Sequence, residues 1–154
     1  MDYLTVKWLH ILSSTVLFGT GIGSAFYLLV ATRSRDPRLV AFVAGKVVLA
    51  DSLFTATTAV LQPLTGFWLM HLAGMSLQAT WLWLSLLLYA VAIGCWLPVV
   101  WIQLRLRDLA RAAVREATPL PAAYWRWFRW WVGLGIIAFA AFVAIFHLMV
   151  TKAA

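Results

Sequence analysis

The chain has 154 residues, 64% of them hydrophobic and only 11% charged, with a formal net charge of +7. Soluble domains carry roughly 25% charged residues, so a mean hydropathy of +0.92 excludes a soluble globular fold and indicates an integral membrane protein. The positive excess then reads as loops retained on the cytoplasmic side of a bilayer rather than as a nucleic-acid surface.

The first apolar run covers about residues 3–31 and includes "VKWLHILSSTVLFG". It lacks a basic leader and a small-residue cleavage site, and it is too long for a signal peptide, so it is expected to be a retained span. At 100° per residue, Lys7, His10, Ser14, Leu17, Gly21, Ser24 and Leu28 share one side, flanked by Ser13 and Thr20. Small and polar groups favour close helix contact in lipid. A short basic connection, "TRSRDPR", follows.

The second run, about residues 39–70, carries Asp51, Thr55, Thr58 and Gln62 within a narrow sector, extended by Ala44 and Val48. A kink is expected at Pro63 and Gly66. Asp51 sits near the centre of the run, so it must be protonated, paired or beside water. Lys46 lies about 140° away round the helix and is expected to snorkel to the interface. Ser13, Ser14 and Tyr89 are candidate partners for Asp51 at matching depth. His71 falls where this run meets "HLAGMSLQAT", a connection without Lys, Arg, Asp or Glu.

The third run, about residues 80–104, is interrupted by Pro98 and places Ser85, Tyr89, Ala92, Trp96, Val99 and Gln103 on one sector. The arginine-rich connection after it can begin as a helical extension, and "YWRWFRWW" reads as an interfacial anchor. The fourth run, about residues 127–150, aligns Arg129, Gly133, Ile136, Ala140, Val143 and His147.

Backbone groups in lipid must be satisfied internally, so the four runs are helices. The expected fold is all-α: a single domain over residues 1–154, folded as an up-down four-helix transmembrane bundle. The charged connections belong in the cytoplasm, with both termini periplasmic across a bacterial inner membrane. Cys95 lies alone in an apolar run and reads as a packing residue. "GTGIG" lacks a dinucleotide-binding context, and no nucleophile elbow or phosphate loop occurs.

That topology puts His10, His71 and His147 in the same outer half of the membrane. Two inward imidazoles on different helices can ligate a haem iron. His10 would be one axial ligand of haem b and His147 or His71 the other, with Lys7 meeting a propionate. No carboxylate, thiol or close histidine pair completes a copper or zinc site. The function this points to is electron transfer or oxidoreduction. Two alternatives fit the same residues. One is a non-catalytic accessory or assembly subunit of a larger membrane complex. The other is a metal- or proton-coupled transport protein, which would need oligomerisation because four spans enclose little space.

With "VKWLHILSSTVLFGTG", "ADSLFTATTAVLQPLTGFWLM", "LPVVWIQLRLRDLA" and "FVAIFHLMV" in view, nearly the whole chain resembles a bacterial family of predicted integral membrane proteins, domain of unknown function 2269. Helix one also resembles CopD-type copper-resistance proteins and HemJ-type protoporphyrinogen oxidases, through the Lys-x-x-His pattern of Lys7 and His10. The HemJ likeness implies that His10 is a haem ligand. It offers no match for the remaining functional positions of those proteins.

Overall fold

The structure, a computed structural model, describes residues 1–76 and 79–152. Four helices are each long and apolar enough to cross a membrane: α1 (Tyr3–Arg33), α2 (Pro37–Leu72), α3 (Thr80–Arg115) and α4 (Ala122–Thr151). No strand occurs among the described residues. Side-chain pairs along the helices run in opposite order, for example His10 with Thr65 and Thr32 with Tyr124, so neighbours are antiparallel and the bundle is up-down.

The helix starts follow from local chemistry. The Asp2 carboxylate caps α1 by accepting from the Thr5 backbone N–H. Its hydrogen bonds from Thr5 hold that carboxyl below the usual carboxylate value. Asp36 caps α2 in the same way, with Pro37 in the first turn, where a missing N–H costs nothing. Inside α2 the backbone widens into a π-helical turn over Asp51–Thr55. Such turns add a residue to the helix and shift the face that follows.

The third helix runs past the expected end near Leu104, on to Arg115. Its 36 residues span about 54 Å, against roughly 30 Å of hydrocarbon. Hydropathy falls after Leu104, but leucine, alanine and arginine remain good helix formers. The extension therefore carries Arg105, Arg107, Arg111 and Arg115 beyond the apolar zone as continuous helix.

The tightest packing lies at this arginine-rich end. Leu28, Val40, Ala44, Leu106, Ala110 and Tyr124 are almost fully buried there. The Thr32 and Tyr124 hydroxyls share a hydrogen bond of 2.7 Å and tie α1 to α4. Helix α3 packs along α4 and α2, and α1 packs along α2, whereas α1 and α4 approach closely at few places. One such place is Phe18, whose ring meets Phe139, Phe142 and Phe146.

Helix α4 is rotated from its expected setting. Arg129, Gly133, Ile136, Ala140, Val143 and His147 are exposed, while Tyr124, Trp131 and Ala141 are buried. The reason is that α4 docks through its aromatic side chains: Trp127 meets Trp101 of α3 edge-on, Phe142 meets Tyr89 of α3, and Tyr124 bonds Thr32 of α1. The small-residue stripe is left facing outward.

Helix α3 ends with Ala117 in the left-handed region at φ 51°, where Thr118 donates to the Ala113 carbonyl. Glycine has no steric cost in that conformation. Ala117→Gly is expected to stabilise the bundle by about 0.5–1 kcal/mol, read as a shift to higher denaturant in detergent unfolding.

Candidate functional site

A buried polar seam runs along α2. Asp51, Thr55, Thr58, Gln62 and Thr65 recur at intervals of three and four, and each is no more than 9% exposed. All four polar residues expected on this stripe are there, and Thr65 extends it by the same spacing.

At one end the seam binds α1. Gln62 Nε2 donates to Ser13 Oγ at 2.6 Å and to the His10 carbonyl at 2.9 Å. His10 Nδ1 lies 2.7 Å from Thr65 Oγ1. The Thr65 hydroxyl has one proton and lies 2.7 Å from the Leu61 carbonyl, which can only accept. With that proton on Leu61, Nδ1–H donates to Thr65 and the lone pair resides on Nε2. The imidazole lies against Gly66, where a β-carbon would sit 3.4 Å from Cε1.

Midway, Pro63 lacks the N–H that would have bonded the Ala59 carbonyl. The Tyr89 hydroxyl, from α3, donates to that carbonyl instead. The expected kink residue is thus sealed by a neighbouring helix.

At the other end lies Asp51. Its Oδ1 accepts from Thr55 Oγ1 at 2.9 Å, and the Gln103 side chain approaches it from α3. The expected partners are engaged elsewhere: Ser13 with Gln62, Ser14 with the Ile11 carbonyl, and Tyr89 with Ala59. The helix register explains this. The pairing of His10 with Thr65 and of Ser13 with Gln62 puts Asp51 opposite Ser24, not opposite the serines near His10.

Asp51 and Thr55 face a cavity of about 410 Å³ between the four helices. Its wall is largely aromatic and aliphatic, with Phe18 and Ser24 from α1, Trp96 and Gln103 from α3, and Trp131, Phe139 and Phe142 from α4. Three of these residues hold a buried polar atom without a partner: Trp96 Nε1, Trp131 Nε1 and Gln103 Oε1. Each such atom costs about 1–3 kcal/mol while unsatisfied. Sequence reading placed Trp96 and Gln103 on the inner sector of α3 but missed Trp131, because a tryptophan beside arginines also fits an interfacial anchor.

The other expected site residues do not converge on His10. Lys7 is exposed, with Nζ 6.0 Å from the centroid of the Tyr3 ring. His71, at the end of α2, and His147, on α4, are both exposed. Among the described residues, no three His, Cys, Asp or Glu side chains gather as a metal site. Of the three histidines, His10 alone lies on the buried seam, with its Nδ1 held by Thr65. Metal-binding imidazoles commonly donate their other ring N–H to a fixed acceptor, as His10 does to Thr65.

These four helices and the seam belong to a region with a recognisable sequence pattern. The family described as predicted integral membrane protein DUF2269 matches residues 4–153. The chain belongs to this family. The DUF2269 match takes in all four helices, including the His10–Thr65 contact and the cavity. Comparison with curated proteins and with solved structures gives no match.

Thr65→Val keeps the shape of the side chain but removes the acceptor for His10. It is expected to destabilise the α1–α2 pairing by about 1–2 kcal/mol, measured by unfolding in detergent. Ser13→Ala and Thr65→Val should be less than additive in a double-mutant cycle, because both loosen one contact region.

Proposed function

We propose that this DUF2269 protein is a haem b-binding redox protein of the bacterial inner membrane, with His10 as its axial ligand. One observation carries the reading. The hydrogen bond from His10 Nδ1 to Thr65 leaves Nε2 as the basic nitrogen, on a ring fixed against Gly66. Nε2 would hold the iron of the haem, and the iron would supply a one-electron couple. The chain's own part is to orient the imidazole, set its tautomer and exclude water with the packed α1–α2 face.

A second reading has its own support. The exposed stripe of α4 presents Gly133 and Ala140, small residues that allow another helix to approach closely in lipid. In an accessory subunit of a larger membrane assembly, or in a homo-oligomer, this stripe would receive the second helix.

One purification tests both. Protein extracted in mild detergent should show a reduced-minus-oxidised haem b spectrum that His10→Ala abolishes. Thr65→Val should weaken haem retention by roughly 10–100-fold. A folded, undepleted protein without a haem band overturns the first reading. Co-purification of a stoichiometric partner in that same haem-free sample supports the second.

The arginines support one orientation. The positive-inside rule puts the two basic connections in the cytoplasm and both termini in the periplasm. Cys95 is the sole cysteine, so Lys152→Cys in a Cys95→Ala background gives one reporter thiol. Labelling of that thiol in intact cells by a membrane-impermeant maleimide should succeed only if this terminus is periplasmic.

A further inference from the structure

We propose that the cavity between the helices binds a neutral, lipid-soluble quinone that enters from the bilayer between α1 and α4. This goes beyond the haem reading and does not depend on it.

The access route is visible in the burial pattern. Ile22 and Phe26 of α1, and Ile136 of α4, line the cavity yet are 43–63% exposed, while the stacked Phe18 and Phe139 rings close the gap beside them. The cavity therefore opens where these two helices stand apart, toward the zone that acyl chains fill. A ligand would arrive from lipid without crossing water.

The lining selects the class of ligand by charge. It includes no Lys, Arg or His among the described residues. A phosphate or fatty-acid head would lack a counter-ion there and would sit near the Asp51 carboxyl. Burying an unpaired anion is strongly unfavourable, and the two unpartnered indole N–H groups call for an acceptor that a cation does not offer, so the polar end is a neutral acceptor.

The unpartnered atoms then select the functional groups. Trp96 Nε1 and Trp131 Nε1 are donors on two different helices, and Gln103 Oε1 is an acceptor. Trp131 and Gln103 are both at least 94% buried by their exposures of 6% and 3%. A ring with two carbonyl oxygens can accept from both indoles, and its hydroxyl form can donate to Gln103 or Asp51. The flanking Phe139 and Phe142 rings suit a flat aromatic-sized head, which prefers offset or edge contacts.

The test is equilibrium binding of tritiated decylubiquinone to the purified full-length protein, in lipid nanodiscs. Saturable binding to one class of site is expected. Trp131→Phe, which keeps an aromatic ring and deletes the N–H, should weaken it by about tenfold, and Gln103→Leu should lower affinity for the quinol form. Thermal unfolding of each variant checks that the bundle is retained. Unlabelled dodecanoate and tetraphenylphosphonium are the competing anion and cation. Absence of saturable binding overturns the proposal, as does wild-type affinity in folded Trp131→Phe. Displacement by dodecanoate or tetraphenylphosphonium as effective as that by unlabelled quinone overturns it too, by identifying a site for charged lipophiles. The assay is run on protein with its haem content measured, so a negative result here leaves the His10 proposal standing, and a haem-free protein can still bind the quinone.

Discussion

A polar side chain in hydrocarbon must find its partner inside the protein, and the stripe from Asp51 to Thr65 along α2 makes that demand at every turn. Its answers set the arrangement of the bundle. Gln62 and Thr65 fix α1 in register, Ala59 receives Tyr89 from α3, and Asp51 is met by Thr55 with Gln103 alongside. Helix α2 is therefore the strut against which α1 and α3 are positioned. Helix α4 makes none of these contacts and is held by aromatic packing on α3 and by the Thr32–Tyr124 bond. The bundle is accordingly closed on one side and loose on the other.

That asymmetry separates two chemical environments. Near His10 the polar groups are mutually satisfied and the ring is held. Near Asp51, α1 and α4 stand apart, and three polar atoms have no partner. The π-helical turn lies at this second site, because Asp51–Thr55 forms both the widened backbone and part of the cavity wall. Thr58 connects the two regions on the same buried face, its hydroxyl turned back to the Phe54 carbonyl. The two sites are thus parts of one helix face, joined by backbone as well as by side chains.

Much of this was legible in the sequence, for a physical reason. Polar residues are rare in spans, so Asp51, Thr55, Thr58 and Gln62 at helical spacing revealed the inward face of α2. On α1 the expected face held His10, Leu17, Ser24 and Leu28 but also Lys7 and Gly21, which are exposed, and it put Ser13 only at its flank, where the structure buries it. Thr65 obeys the same spacing and extends the stripe past Pro63. The setting of α4 was not legible. Glycine and alanine suit a tight helix seam and a lipid-facing surface equally well, so a stripe of them has no preferred direction. The π-helical turn was also hidden, since no residue type marks it. The α1–α2 register, set by His10–Thr65 and Ser13–Gln62, leaves the Asp51 carboxyl beside Gln103 rather than the serines near His10.

The short link between α1 and α2 gives the polar stripe a meaning for biogenesis. Inserted alone, α2 would bring a central Asp51 into lipid, where a single aspartate costs roughly 2.5–3.5 kcal/mol on insertion scales. Its threonines and Gln62 would add to that cost. With only Ser34, Arg35 and Asp36 between them, α1 is at hand as α2 emerges. Pairing Ser13 with Gln62 and His10 with Thr65 hides part of the burden before either helix meets bulk lipid. Two spans that satisfy each other across so short a link suit insertion as a helical hairpin, with Gln103 of α3 meeting Asp51 in the completed bundle.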